Sequence, residues 1–209
     1  MRWMSLLRRG FLAVVLAGLC VLPVLAQAPA PQGTPMRVRG TVDKLDGKVL
    51  TVKSRDGQTL TVTLADDVAV FALATKALAD LKPGDTVAST GIRDKDGKIH
   101  AIEVRILPRP FADGGRQYAW DLQPDSVMTN ATLGTITKTA DGAVVHVTFK
   151  DGESDYTVGP DTAILGQAPA DTSLLKPGAA IVAFALKGAD GTITSRALIA
   201  EKDGIKPSM

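Results

Sequence analysis

Apolar and polar residues alternate along several short stretches of the chain, which is the pattern of strands with one buried face. In the first stretch, Val38, Gly40 and Val42 alternate with polar or charged neighbours. The same alternation recurs at Leu50 and Val52, at Leu60, Val62 and Leu64, at Val145 and Val147, and at Tyr156 and Val158. Asp-Gly pairs lie between many of these stretches, and glycine accepts the positive φ of a tight hairpin turn. The pattern therefore predicts an all-β protein.

The chain carries this pattern twice. Three Asp-Gly pairs, one Leu-Lys-Pro-Gly segment and one Gly-Thr segment return 94 or 95 residues later. The matches are Asp46-Gly47 with Asp141-Gly142, Asp56-Gly57 with Asp151-Gly152, Asp96-Gly97 with Asp190-Gly191, Leu81-Lys82-Pro83-Gly84 with Leu175-Lys176-Pro177-Gly178, and Gly40-Thr41-Val42 with Gly134-Thr135-Ile136. So constant a separation indicates two tandem copies. We place them at residues 36–107 and 128–200.

Each copy predicts five strands, with a short helix between the third and the fourth. Ala74 to Leu81 has the composition of such a helix, and Ala170 to Leu175 could form a single turn. Five strands in so short a chain favour a small OB-like, partly open barrel, and a simple five-stranded sandwich is the alternative. The predicted fold is thus two tandem five-stranded OB-like barrels joined by an irregular connector. Because such small units bury modest cores, the two copies are expected to pack against each other.

The connector, residues 108–127, is rich in proline and glycine and predicts no regular element. It contains Phe111, Tyr118 and Trp120, three of the seven aromatic residues that follow position 26. Exposed rings are unfavourable in water, so we expect the connector to be docked. In an extended segment Tyr118 and Trp120 would point the same way. Both rings are expected to plug the seam between the two barrels. In the alternative they stay partly exposed, and together with Arg116 they are then the candidate ligand-binding residues.

The start of the chain has the features of a secretory signal peptide. Arg2, Arg8 and Arg9 precede an apolar run that ends at Ala26, so we place the signal at residues 1–26 and cleavage before Gln27. An uncleaved anchor is disfavoured because the apolar run is short for a full span. Lipid attachment at Cys20 is disfavoured because Leu19 is not a small residue. The predicted location is the periplasm, and cleavage would remove the one cysteine.

Charge argues against nucleic acid as a partner. The full chain has a formal charge of +2, and loss of the signal removes three arginines and no acid, which leaves −1. A near-neutral protein has no general electrostatic attraction to nucleic acid or anionic lipid. No later stretch is long and apolar enough to cross a bilayer, so no membrane span is expected after the signal.

Several segments of both copies resemble a known family. They are Gly40-Thr41-Val42, Leu50-Thr51-Val52, Leu81-Lys82-Pro83-Gly84-Asp85, Asp96-Gly97 with Ala101 and Ile102, Met128-Thr129-Asn130-Ala131-Thr132, and the tail from Lys202 to Met209. Together these segments are similar to an exported bacterial tandem-repeat family known as a domain of unknown function (DUF5666-like). The resemblance covers nearly the whole chain after the signal and implies OB-like domains. Some relatives carry a metal ABC transporter permease label, which a chain without further membrane spans does not fit.

Candidate chemistry is sparse. Hydrolytic catalysis usually needs a histidine beside a nucleophile, and His100 and His146 are the two histidines of the chain. Their repeat-equivalent positions hold threonines, so exposed strand positions explain both. Periplasmic copper carriers use methionine and histidine in place of cysteine. A site of that kind would draw on Met36, Met128, Met209, His100 and His146, although no two of them have a short ligand spacing.

The sequence therefore predicts a non-enzymatic periplasmic binding or adaptor protein that needs no cofactor. Its partner would be a periplasmic protein, a peptide or a saccharide. Copper-type metal handling is the alternative, and a hydrolytic enzyme has the least support.

Overall fold

The computed structural model describes residues 33–208, and its regular structure is almost entirely β. The predicted signal peptide, Cys20 and Met209 lie outside these residues. The twelve strands are β1 (Thr34–Asp46), β2 (Val49–Ser54), β3 (Thr59–Thr75), β4 (Thr86–Arg93), β5 (Ile99–Ile106), β6 (Arg116–Ala119), β7 (Ser126–Thr139), β8 (Gly142–Phe149), β9 (Gly152–Val158), β10 (Ala163–Ala170), β11 (Ala180–Lys187) and β12 (Ile193–Ala200). The all-β prediction is confirmed.

Five strands close the first barrel. β1 pairs with β2, β2 with β3, β3 with β12, β12 with β11, and β11 returns to β1. All of these pairs are antiparallel except the one between β3 and β12, which is parallel. The alternating residues of β1, β2 and β3 point into this barrel, where Val38, Leu50 and Val62 are almost completely buried. The hydrophobic periodicity of the sequence therefore identified the interior correctly.

Five other strands close the second barrel. β4 pairs with β5 and with β7, β7 with β8, and β8 with β9. A short parallel pair between β5 and β9 completes the circuit, with Ile99 opposite Tyr156 and His100 opposite Thr157. Tyr156 is fully buried in the core, and burial raises the pKa of its phenol above the ordinary value.

The barrels do not coincide with the sequence repeats. The core of the first barrel combines Val38 and Leu50 from the first copy with Ile181 and Leu198 from the second. The core of the second barrel likewise contains residues of both copies. Each copy thus contributes its first strands to one barrel and its last two strands to the other. The expectation that residues 36–107 and 128–200 each close their own barrel is corrected by these pairings.

The length of β3 explains the exchange. Its 17 residues would reach roughly 55 Å if they were fully extended at about 3.3 Å per residue, far more than one wall of a small barrel needs. The strand is bulged in its middle, because its register on β12 shifts between Leu64 and Ala69. Beyond Leu64 the strand continues and pairs antiparallel with β10, with Ala72 opposite Ala168. Since both copies run through this pairing in opposite directions, it lies on an approximate two-fold axis. The chain after β3 is therefore carried into the second barrel.

Some of the smaller elements match the predictions and others do not. The helix predicted over Ala74 to Leu81 is wrong, because β3 runs through Thr75 and only Leu78–Asp80 forms a 3-10 turn. The single turn predicted near Ala170 is present at Thr172–Leu174. Both Pro-Gly turns are confirmed, with φ of +92° at Gly84 and +91° at Gly178. The connector is not wholly irregular, because it forms β6.

The C-terminal tail connects the two barrels. It leaves β12 of the first barrel, and the Ser208 hydroxyl donates a hydrogen bond to Glu103 on β5 of the second. Within residues 33–208, no helix is long and apolar enough to span a membrane.

Candidate functional site

An open groove of about 590 Å³ lies on the second barrel where β5 meets β9, and we call it the second-barrel groove. It is lined by Ile92, His100, Ala101, Ile102, Thr139, Asp141, Ala143, Thr157, Val158, Gly159, Pro160, Asp161 and Thr162. One wall is the turn between β9 and β10. Thr162 holds this turn against β5, because its hydroxyl donates to the Ala101 carbonyl at 2.8 Å and accepts from the Gly159 amide at 3.0 Å.

A β-bulge directs Ile102 into this groove. In the pairing of β4 with β5, Thr90 faces Glu103 and Gly91 faces Ala101, so Ile102 has no partner in the ladder. Such an extra residue re-aims its side chain, and bulges are often found beside binding sites. Ile102 is 36% exposed, which is high for a large apolar side chain. The bulge thus places an accessible hydrophobic group in the groove.

His100 joins three elements at the edge of the groove. Its Nε2 lies 2.8 Å from Asp94 Oδ2, and its Nδ1 lies 2.9 Å from Thr157 Oγ1. The hydrogen bond from His100 lowers the pKa of Asp94. Thr157 Oγ1 also lies 3.3 Å from the Ile99 carbonyl oxygen, with which it can bond across the seam between β5 and β9. The prediction that His100 occupies an exposed strand position agrees with its exposed side chain.

A second depression continues the groove around the β9–β10 turn. It measures about 550 Å³ and shares Asp141, Val158, Gly159, Pro160 and Thr162 with the first. Lys76 and Leu78 belong to the lining of this second depression. The two depressions meet at the β9–β10 turn, with His100 lining the first and Lys76 lining the second.

The first barrel has a groove at the equivalent place, and we call it the first-barrel groove. It measures about 240 Å³ and is lined by Thr63, Leu64, Ala65, Phe184, Leu186, Thr194 and Arg196. The strand registers make Thr194 the counterpart of His100, because Thr194 faces Thr63 as His100 faces Thr157. Arg196 is the counterpart of Ile102, since it too is the unpaired residue of a bulge.

The two grooves differ in chemistry. The first-barrel groove contains Phe184, which is 42% exposed, beside Leu186 and a bulge arginine. The second-barrel groove is larger and places an isoleucine at the bulge, with His100 and Asp141 on its walls. The two grooves therefore occupy equivalent positions and carry different side chains.

The connector is docked between the barrels. Trp120 is 8% exposed and packs with Ala88 and Met128 on the outside of the second barrel. Tyr118 belongs to the same cluster and meets Trp120 edge to face, with 5.7 Å between ring centroids. Whether these rings and Arg116 bind a ligand stays a prediction. Arg116 is exposed, and its guanidinium carbon lies 5.5 Å from the Tyr118 ring centroid.

Two arginines of β1 attach the first barrel to the connector. The Arg37 guanidinium lies over the Trp120 ring, and both Nη atoms of Arg39 donate to the Asp121 carboxylate at 3.0 and 2.8 Å. The hydrogen bond from Arg39 lowers the pKa of Asp121. Trp120 therefore sits where both barrels contact the connector.

The candidate metal ligands that the structure describes belong to different clusters of the molecule. Met36 packs beside the core of the first barrel, whereas Met128 belongs to the cluster around Trp120. His146 Nδ1 lies 2.8 Å from Asp155 Oδ1 on the neighbouring strand, and Met209 lies outside the described residues. Among residues 33–208, no three His, Cys, Asp or Glu side chains are grouped to hold a metal ion.

A buried ion pair escaped the sequence analysis. Arg105 Nη2 lies 2.5 Å from Glu103 Oε1, and the two side chains are only 3% and 4% exposed. The register of β12 on β3 makes Ala197 and Ile199 their counterparts in the other half of the molecule. Alternate charged residues on a strand ordinarily indicate a solvent-facing side. The burial arises because the tail and the neighbouring strands cover this face.

Comparisons with protein families, with curated proteins and with solved structures found no match. The resemblance to exported DUF5666-like repeats stays a prediction.

Proposed function

We propose that the protein is an exported, non-enzymatic binding or adaptor protein that takes an extended ligand in the second-barrel groove. The observation that supports this most is the pair of grooves at equivalent positions, each with a bulge residue directed into it. The grooves lie on two closed barrels, and each barrel is built from strands of both sequence copies. Export rests on the signal sequence at residues 1–26.

The lining of the second-barrel groove favours a peptide over a saccharide. Ile92, Ile102 and Val158 form its apolar part, and Asp141, Asp161 and His100 supply polar groups. No aromatic ring is among its lining residues. Sugars are commonly bound against aromatic rings, whereas a peptide needs an apolar strip with polar groups beside it.

An exchange of the two bulge residues tests the groove. Heptapeptides selected on the intact protein from a random library would be measured against Ile102→Arg and, as a matched control, Arg196→Ile. Each variant receives the residue that the other barrel already carries, so both should fold. We expect Ile102→Arg to weaken binding by roughly tenfold and the control to leave it unchanged. Equal affinities for all three proteins would contradict the proposed site.

The chain of hydrogen bonds through Asp94, His100 and Thr157 is the feature that could be taken for a hydrolytic site. We assign it to the seam, because Thr157 also lies within bonding distance of the Ile99 carbonyl and the first barrel has a threonine pair at the same place. His100→Ala should lower the melting temperature. Turnover of p-nitrophenyl acetate that disappears in His100→Ala and in Thr157→Val would overturn the non-enzymatic assignment.

Export has a separate test. Intact-mass measurement of protein from the periplasmic fraction should show a chain that begins at Gln27 or close to it. A full-length mass, or one that carries acyl chains on Cys20, would contradict the proposed export route.

A further inference from the structure

β6 has an open edge. Among the strands of residues 33–208 it is the one with a single neighbour, because it pairs only with β7. The other strands have neighbours on both sides: ten of them within the two barrels, and β10 between β3 and β5. An unpaired strand edge is a template on which an extended polypeptide can add a further strand.

The register shows which backbone groups are presented. The Trp120 amide donates to the Ser126 carbonyl at 2.8 Å, so Trp120 and Ser126 form a hydrogen-bonded pair. Such pairs alternate along an antiparallel ladder. Tyr118 and Arg116 therefore bond to β7, whereas the N–H and C=O groups of Gln117 and Ala119 point away from it. No described residue makes a hydrogen bond with these four backbone groups.

The strand is held firmly in place. The Gln117 side chain donates to Thr129 Oγ1 at 3.0 Å and accepts from Arg93 at 3.2 Å. Just before the strand, the Gly114 carbonyl accepts from the Lys150 amide at 3.0 Å. Immediately after it, Trp120 is buried. A preorganised edge of this kind loses little entropy when a strand is added.

We propose that β6 binds an extended segment of a partner protein by strand addition. Arg116 and Tyr118 lie on one face of β6. Every second side chain of a strand added to β6 would lie on this same face, beside these two residues. Arg116 is exposed and has no carboxylate partner among the described residues. An antiparallel segment would thus place an apolar side chain against the half-buried Tyr118 and, two residues later, an acidic side chain beside Arg116.

This surface is separate from the second-barrel groove, and a single substitution isolates it. Ala119→Pro removes an N–H that points away from β7, and proline is tolerated on a strand edge when no ladder bond is lost. Ala119→Ser keeps the N–H and is the matched control. The probe is a blocked, fluorescent ten-residue peptide of alternating threonine and valine with a central leucine–threonine–glutamate triplet, measured by anisotropy on the intact protein.

We expect the probe to bind wild type and Ala119→Ser equally and Ala119→Pro at least roughly tenfold more weakly, with unchanged melting temperatures. A probe that is N-methylated at the amides that face β6 should bind wild type as weakly as the unmodified probe binds Ala119→Pro. Arg116→Glu should lower the affinity for the glutamate probe and raise the affinity for a probe that carries lysine in place of glutamate. These two measurements decide the matter even if Ala119→Pro does not fold.

Three results would overturn the proposal. One is absence of binding at about 1 mM probe. Another is a probe that no longer binds Ile102→Arg but still binds Ala119→Pro as it binds wild type, which would place the peptide in the second-barrel groove. The last is a dimer of the protein alone, seen by sedimentation and abolished by Ala119→Pro, which would make a second copy the occupant of the edge.

Discussion

The guanidinium carbon of Arg37 lies 3.9 Å from the ring centroid of Trp120. Arg37 belongs to β1 of the first barrel, and Trp120 packs on the outside of the second. A cation over an aromatic ring is attracted by the ring, and more strongly where water is excluded. The connector therefore links the two copies along the chain and also holds the two barrels together through its side-chain contacts.

Trp120→Ala should destabilise the protein strongly. The substitution empties a buried site beside Ala88 and Met128 and removes the ring on which Arg37 rests, for a cost of about 3–5 kcal/mol. We expect the melting temperature to fall by on the order of 10 °C. Tyr118→Phe, which keeps its ring in the same cluster, should change it little. An unchanged melt in Trp120→Ala would show that the ring does not join the barrels.

The buried ion pair can be tested with residues from the other half of the chain. Glu103→Ala leaves Arg105 charged and buried without its carboxylate, which should cost about 3–5 kcal/mol. Glu103→Ala combined with Arg105→Ile installs the residues found at the equivalent positions, Ala197 and Ile199. We expect this double variant to stay within about 1 kcal/mol of wild type or to exceed it. Urea unfolding gives both values.

If the double variant is as unstable as the single one, the pair does not act as an isolated charge pair. Ser208 would then be implicated, because its hydroxyl bonds to Glu103 and would lose that contact in both variants.

Alternation along the sequence predicted the buried faces but not the strand neighbours. Period-two patterns specify which side chains point inward, and they carry no information about which strand lies alongside. Hence Val38 and Leu50 were assigned correctly to an interior, whereas the pairing of β1 with β11 of the other copy was not foreseen. The unusual length of β3 was the available signal, since no glycine or proline interrupts the segment from Ala65 to Thr75.

The sequence match at Gly40 is also misleading about structure. Gly40 of β1 faces Ile181 of β11. The residue of the first copy that corresponds to Ile181 is Val87, and Val87 faces Ala131. The structural counterpart of Gly40 is therefore Ala131, while Gly134 falls in a bulge of β7. Sequence identity thus aligned Gly40 with Gly134, although the two glycines occupy different positions in their barrels.

The candidate groove could be predicted only in part. His100 was singled out, but its partner Thr157 is 57 residues away and reaches it only through the closure of the second barrel. The role of Ile102 depends on a bulge, which requires the register of β4 on β5. Nothing in the local sequence distinguishes it from an ordinary strand residue.

Acid should weaken the joint between the barrels. The ordinary pKa of Asp121 is 3.8, and the hydrogen bond from Arg39 lowers it in the folded protein. A carboxylate with a lowered folded pKa adds stability above its ordinary pKa, and this stability is lost as the pH falls through the folded value. We therefore expect Asp121→Asn to flatten the fall in melting temperature between about pH 6 and about pH 2.5.

Asp46→Asn is the matched control for this measurement, because Asp46 is exposed and Asn-Gly also suits a hairpin turn. Its acid limb should follow that of wild type. Parallel curves for wild type and Asp121→Asn would show that the Arg39 pair contributes nothing to the pH dependence.

The strand exchange predicts how the protein behaves when the connector is cut. A protease site inserted between the exposed residues Pro108 and Arg109 separates the chain into two pieces, each with one sequence repeat. Because the core of each barrel contains residues of both repeats, the pieces should stay together after cleavage. Size-exclusion chromatography in native buffer should show one particle of unchanged size.

The same cut in Trp120→Ala separates strand exchange from simple contact at the connector. If two self-contained barrels were held together mainly through Trp120, the cut variant would divide into two folded halves. With exchanged strands, the halves should separate only when the barrels unfold, so dissociation and loss of the β signal in circular dichroism should follow one urea curve. Dissociation of the two pieces at a lower urea concentration than the loss of the β signal would contradict the exchanged topology. Each piece would then stay folded without the strands of the other.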